Sequence, residues 1–108
     1  MGALADSKAE RVAAKQVAVT ELVRRLTPVA DMLGGRFVLF GSAARNELRY
    51  DSDIDLLLDF PDAASTQEAW RLAEDVCADL QLPRDIMPLS WCSKEFLDHV
   101  LKEARAIP

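Results

Sequence analysis

The recurrence of hydrophobic residues predicts a helix in the first third of the chain. Ser7 and Glu10 have the S-x-x-E spacing of a capping box, and apolar residues follow at helical intervals. The adjacent glycines Gly34 and Gly35 predict where this helix stops. The Thr27–Pro28 pair leaves three alternatives open, because it is compatible with a kink, with the end of the helix, or with a new turn capped by Thr27.

Three short segments have the pattern of strands. Arg36–Phe40 is an apolar run bounded by glycines, and Asp53–Phe60 alternates between an apolar face and a largely acidic one. Arg84–Leu89 predicts a third strand, which Pro88 restricts to a short stretch or to the edge of a sheet.

Capping signals predict two further helices. Ser65 and Glu68 form a second capping-box pattern, ahead of a helix that ends before Pro83. Ser93 is the expected N-cap of the last helix. The residues of that helix expected to face the core are Phe96, Leu97, Val100, Leu101 and Ala104. The order helix, strand, strand, helix, strand, helix predicts an α/β fold, with a small mixed β-sheet packed against helices in one domain over residues 1–108.

Composition narrows the class of protein. Half of the 108 residues are hydrophobic and 29% are charged, which is typical of a folded globular domain. No apolar run reaches the roughly 18 residues needed to span a bilayer, so we expect a cytoplasmic protein without a membrane partner. The two cysteines, Cys77 and Cys92, are too few for a disulfide scaffold and are expected to be reduced. The formal charge of −5 argues against direct binding of nucleic acid.

The negative charge is concentrated in one segment. Between Asp51 and Asp62 there are five acids and no base, so this segment alone equals the net charge of the chain. Carboxylates crowded in this way repel one another unless they point into water or bind cations.

A candidate site lies at the two ends of the connection between the first two strands. Gly41 lets the backbone turn sharply beside the Ser42 hydroxyl, which suits an anion. Asp53 and Asp55 lie on one face of the second strand, about 6.6 Å apart along the backbone, which suits divalent cations. An anion site next to a carboxylate pair is what metal-assisted phosphoryl or nucleotidyl transfer requires.

Gly41-Ser42, ten intervening residues and Asp53-x-Asp55 resemble the G-S-x10-D-x-D signature of the DNA polymerase β nucleotidyltransferase superfamily. The short length and the flanking residues resemble its minimal nucleotidyltransferases, known largely as antitoxins of HEPN-domain toxins. The resemblance implies that Gly41 and Ser42 bind a nucleoside triphosphate and that Asp53 and Asp55 hold two Mg2+ ions. It also implies a third carboxylate on a later strand, and Asp85 fits that position.

Two departures from the family pattern affect the triphosphate contacts. Ala43 and Asn46 stand where many relatives have arginine and glycine. Asn46 can still adopt the left-handed conformation of a glycine. Arg45 and Arg49 are the two bases that could offset triphosphate charge, and Arg45 is favoured as the nucleotide-binding one.

The function implied by the resemblance is transfer of AMP from ATP onto a hydroxyl, expected to be a tyrosine of a partner HEPN toxin, which makes the chain an antitoxin. Such a chain is compatible with a homo-oligomer or a hetero-oligomer. Two alternatives stay open: an antitoxin that neutralises its toxin by contact alone, and a nucleotidyltransferase that modifies a small molecule such as an antibiotic.

Overall fold

The computed structural model describes the backbone of residues 3–108 and the side chains from residue 8 onward. The first helix, α1, spans Ala3–Leu33 and runs through Pro28, so the chain neither ends nor restarts its helix there. Gly34, with φ of 73°, ends it: the amides of Gly34 and Gly35 donate to the carbonyls of Asp31 and Ala30, at 3.3 and 3.1 Å. Because the helix begins at Ala3, the prediction that Ser7 starts it is wrong, and the Ser7 side chain lies outside the described part.

Four strands form one mixed sheet: β1 (Arg36–Phe40), β2 (Ile54–Asp59), β3 (Arg84–Pro88) and β4 (Arg105–Ile107). Their spatial order is β3-β2-β1-β4. Strand β1 is antiparallel to both β2 and β4, whereas β2 and β3 are parallel. The second helix, α2 (Ala63–Asp79), connects these two parallel strands. The predicted α/β fold with a small mixed sheet is therefore confirmed, and β3 is an edge strand, as Pro88 indicated.

The two faces of the sheet differ in character. One face packs against α1 and α2 through fully buried apolar residues, among them Phe37, Leu39, Ile54, Leu56 and Leu58. The opposite face carries Asp55 and, further along the same strand, the buried Leu57. Alternation along β2 thus puts the hydrophobic core on one side and the acids on the other.

The N-terminus of α2 differs from the prediction. Asp62, not Ser65, is the N-cap: the amide of Ser65 donates to Oδ1 of Asp62 at 2.7 Å, and the Asp62 amide donates to Oγ of Ser65 at 3.4 Å. Glu68 instead pairs with Arg71 one turn later. The carboxylate of Asp62 is an acceptor as good as a serine hydroxyl, so the helix begins earlier and Ser65 becomes its N3 residue.

The C-terminal region also differs. Helix α3 is only Lys94–Val100, and its N-cap is Ser93 as predicted, because Ser93 Oγ accepts from the Phe96 amide at 3.1 Å. No residue of α3 is fully buried, and Phe96 and Leu101 are 40% and 41% exposed, so the predicted core-facing stripe is wrong. Ala104 lies beyond the helix, ahead of the unpredicted strand β4. The segment Arg105–Ile107 pairs with β1 and is therefore a strand, not a continuation of α3. Burial of the Ile107 side chain in the core stabilises this pairing.

None of the helices between residues 3 and 108 combines the length and the apolar character needed to cross a bilayer.

Candidate active site

Two carboxylates lie side by side where β2 and β3 begin, and a third lies close to them in the chain. Asp55 on β2 is the register partner of Asp85 on β3, so the two side chains share one face of the sheet. Asp53 lies two residues before Asp55, just ahead of β2, and is near enough for its charge to act on Asp55. Asp53 and Asp85 are exposed and Asp55 is half-buried. The parallel pairing of β2 and β3 therefore brings Asp85 beside Asp55, with Asp53 just ahead of the strand.

The electrostatics of Asp55 reflect this convergence. Burial raises the pKa of the Asp55 carboxyl above its usual value, and the negative charges of Asp85 and Asp53 raise it further. On β1, Phe40 is the register partner of Asp55. The ring of Phe40 also packs edge-on against Phe96, with centroids 5.9 Å apart. The neighbouring carboxylates repel the charge of Asp55, and a bound cation would relieve that repulsion.

The chain after β1 forms a compact turn. The Arg45 amide donates to the carbonyl of Gly41 at 3.2 Å, and the Glu47 amide donates to the carbonyl of Ser42 at 2.8 Å. Asn46 closes the turn with φ of 57°, the left-handed conformation expected of it. This turn fixes Gly41 and Ser42 at the end of β1, where Gly41 lies beside the carboxylate of Asp55.

Gly41 is required here for two separate reasons. Its φ is 71°, a conformation that residues with a Cβ adopt only at a cost. A Cβ at this position would also lie 2.5 Å from Oδ2 of Asp55. The backbone of the turn and the carboxylate of Asp55 are therefore in close contact, and a ligand bound to one is within reach of the other.

Arg45 lies on the outer side of the turn and is held by acids. Its side chain donates to Glu47 at 3.3 Å and lies 3.6 Å from Glu103, and it is 44% exposed. Arg45 also borders a small cavity of about 190 Å³, lined in addition by Phe40, Gly41, His99, Val100 and Glu103. Sequence reasoning did not select His99 or Glu103, and no motif marks them, since only the packing of α3 against the turn brings them here. Arg49, the alternative base, is exposed in the loop beyond.

The donor set of this site suits a hard divalent cation. Within residues 8–108, no three His, Cys, Asp or Glu side chains are close enough together to hold an ion by themselves. Mg2+ needs no such cage, because it is usually bound by one or two carboxylates, with water and substrate phosphates completing its ligands. Asp53, Asp55 and Asp85 offer carboxylate oxygens next to a turn suited to phosphate, so the residues fit the ion.

Comparison with known proteins places the chain in a family. Residues 36–108, which contain the whole sheet, match the family model described as polymerase beta, nucleotidyltransferase. The chain is also 31% identical over 87 residues to the "Putative protein adenylyltransferase MJ0435" of Methanocaldococcus jannaschii. That alignment covers 80% of this chain and 94% of the archaeal protein. With the G-S turn and the acids of β2 inside the matched region, the chain belongs to the polymerase β nucleotidyltransferase family and is a nucleotidyltransferase of the minimal type.

Proposed function

We propose that this chain transfers AMP from ATP to a hydroxyl group of a partner protein, using Mg2+ held by Asp53, Asp55 and Asp85. The observation that carries the proposal is the close approach of Gly41 to the Asp55 carboxylate, because it sets the turn proposed to bind phosphate beside the acid proposed to bind the cation. The archaeal relative is named a protein adenylyltransferase, which supports ATP as donor and a protein as acceptor.

Each residue of the site has a defined task in this proposal. Backbone amides of the Gly41–Ser42 turn and the Ser42 hydroxyl bind the β- and γ-phosphates, and Arg45 offsets their charge. Bound Mg2+ would neutralise triphosphate charge and acidify the acceptor hydroxyl. Asp85 accepts the hydroxyl proton as the acceptor oxygen forms its bond to the α-phosphorus, while the bond from the α-phosphorus to pyrophosphate breaks.

The proposed acceptor is a tyrosine hydroxyl of a HEPN-domain toxin, and its modification would make this chain an antitoxin. Support comes from the resemblance to minimal nucleotidyltransferases. In this proposal the partner protein presents the acceptor hydroxyl to the open face of the sheet that carries Asp55 and Asp85. In this proposal residues 1–108 act as one domain, in the cytoplasm, where ATP and Mg2+ are available.

The proposal is tested by incubating the purified chain with ATP labelled at the α-phosphate, Mg2+ and candidate partner proteins. We expect label on a partner protein, and loss of that label with Asp53→Asn or Asp55→Asn. Asp51→Asn is the matched control, because it removes an exposed acid from the same segment without touching the site. Neutralisation of a toxin that survives Asp53→Asn and Asp55→Asn together would refute the catalytic proposal and support contact alone. Label on an antibiotic and not on a protein would identify a small-molecule enzyme.

A further inference from the structure

A lysine from the opposite half of the molecule reaches the loop that leads into the site. Nζ of Lys15, on α1, donates to the backbone carbonyl of Ser52 at 2.6 Å and to that of Tyr50 at 3.0 Å. The carbonyl carbon of Ser52 is bonded directly to the nitrogen of Asp53. Lys15 therefore binds the peptide group that immediately precedes the first acid of the site.

We propose that Lys15 is a positioning residue that fixes the backbone at Ser52 and thereby orients Asp53 toward Asp55. This inference rests on the proposed function, because it takes Asp53 to be a ligand of the catalytic cation. It assigns Lys15 to the active-site machinery although the residue lies 38 positions before Asp53 and outside every motif in the sequence.

Lys15 anchors the backbone of this loop, whereas Leu48 and Tyr50 contact the core and Lys8 through their side chains. Residues 47–53 have no helix or strand of their own. Within the loop, the Arg49 amide donates to Oγ of Ser52 at 2.8 Å, and the Ser52 amide donates to the Arg49 carbonyl at 3.1 Å. These two bonds close a local turn but do not tie it to the rest of the protein. Beyond the loop, the Ile54 amide donates to the Pro83 carbonyl at 2.8 Å, which starts the pairing with β3.

The chemistry of the contact suits a fixed anchor. An ammonium group has three donors, and two of them here bind two carbonyls in charge-assisted hydrogen bonds, which are stronger than neutral ones. The bond to Ser52 is partly buried, which shields it from competing water. Helix α1 packs into the hydrophobic core through Val19 and Leu22. Lys15 therefore holds the loop backbone against a helix whose own position is fixed by the core.

The chain offers a matched control on the same helix. Lys8 lies two turns earlier and places its Nζ 4.9 Å from the centroid of the Tyr50 ring. Lys8→Met therefore removes an equal charge and a contact with the same loop, but it leaves the hydrogen bonds of Lys15 to Tyr50 and Ser52 in place.

The test compares Lys15→Met, Lys15→Arg and Lys8→Met with the wild-type chain. Hydrogen exchange at the amides of Arg49 and Ser52 is the direct readout, because these amides are bonded only while the loop holds its shape, and the Ile54 amide reports on the adjoining start of β2. We expect about tenfold faster exchange there in Lys15→Met, no change in Lys8→Met, and recovery in Lys15→Arg, whose guanidinium also donates to two carbonyls. The Mg2+ concentration that gives half of the maximal thermal stabilisation should rise at least threefold in Lys15→Met alone.

In the labelling assay, kcat of Lys15→Met should fall about ten- to a hundredfold, while KM for ATP changes less than about twofold, because a small displacement of a reacting group has such effects. Unchanged exchange at the three amides, or faster exchange spread evenly over the whole chain without recovery in Lys15→Arg, would show that Lys15 only supports the fold. If Lys15→Met does not fold, Lys15→Gln, which keeps one donor pair, replaces it. Absence of labelling by the wild-type chain would refute the proposed function, and the exchange and Mg2+ measurements would still decide the role of Lys15.

Discussion

Gly41 and Asp55 are so closely packed that one added carbon on Gly41 would lie 2.5 Å from Oδ2 of Asp55. The clash falls on the terminal oxygen of a side chain and not on backbone, so we expect it to displace the carboxylate more than it strains the fold. Gly41→Ala should therefore lower transferase activity at least tenfold, beyond the roughly 1 kcal/mol that an alanine costs at a positive φ.

Gly34 provides the control for this prediction. Its φ of 73° matches the 71° of Gly41, yet a Cβ there would meet no atom within 4 Å. Gly34→Ala should lose a similar free energy of unfolding in urea but keep its activity. Equal activities of the two variants would contradict a link between the turn and Asp55.

Magnesium should stabilise the folded protein through the acids of β2. At ten times its dissociation constant, a bound ion adds about 1.4 kcal/mol, or roughly 6 to 10 °C in melting temperature for a domain of this size. Calorimetry of the wild-type chain should show this rise, and the Asp53→Asn/Asp55→Asn variant should not. Asp51→Asn should respond as the wild type does, and an equal rise in all three proteins would place the ion elsewhere.

Without metal, the charge on Asp55 should destabilise the protein at neutral pH. The pKa of Asp55 is raised, so the folded state holds this proton more tightly than the unfolded state does. The free energy of unfolding should consequently fall as pH rises from the usual carboxyl range through the folded pKa. Above that pH, Asp55→Asn should be more stable than the wild type by about 0.5 kcal/mol, a small figure because water screens a half-buried group. Urea unfolding in a chelator between pH 4 and pH 8 measures this, and a less stable variant would contradict it.

Arg45 should contribute to nucleotide binding more than to stability. Its partners Glu47 and Glu103 are exposed, at 64% and 66%, and exposed ion pairs contribute little to folding. Arg45→Gln should raise KM for ATP about ten- to a hundredfold, as expected for loss of a charge-assisted bond to phosphate. Glu103→Gln should keep or slightly lower KM, because it releases Arg45 for the phosphate. An unchanged KM in Arg45→Gln would assign phosphate binding to other groups.

The N-cap of α2 should make the Asp62→Ala variant less stable than the Glu68→Gln variant. Asp62→Ala should lower the free energy of unfolding more than Glu68→Gln does, because the Ser65 amide loses its acceptor. Glu68→Gln should change it by less than about 0.5 kcal/mol, since Glu68 forms only an exposed pair with Arg71. The pKa of Asp62 is lowered, chiefly by the bond from the Ser65 backbone, so the contribution of this cap should disappear as pH falls below the usual carboxyl range. The reverse order in thermal unfolding would restore Ser65 and Glu68 as the capping pair.

Sequence pattern was sufficient for the elements that alternate or repeat strongly. The run Arg36–Phe40 is a strand as predicted, and the alternation of Asp53–Phe60 gave β2 to within one residue at each end. Strand β4 escaped prediction because it has three residues, only one of which, Ile107, is buried. Its existence depends on pairing with β1, which local sequence does not encode.

The same distinction holds for the site. Gly41, Ser42, Asp53 and Asp55 were found from spacing alone, because they lie within fifteen consecutive residues. The place of Asp85 depends on the register between two strands separated by a whole helix, and only the resemblance to a family suggested it. Lys15 and Glu103 reach the loop and the turn from distant elements, so neither carries a local signal.

The alternation of apolar and acidic residues along β2 links the stability of the fold to the position of the candidate site. Ile54, Leu56 and Leu58 are buried in the hydrophobic core, and Asp55 lies on the opposite face of the strand. A slip of one residue would turn every side chain over, exposing these apolar residues and hiding the acid. The packing of the hydrophobic core thus fixes the register of β2, and the register in turn fixes the position of Asp55 on the opposite face. Asp55 cannot move along the sheet unless the core packing is also disrupted.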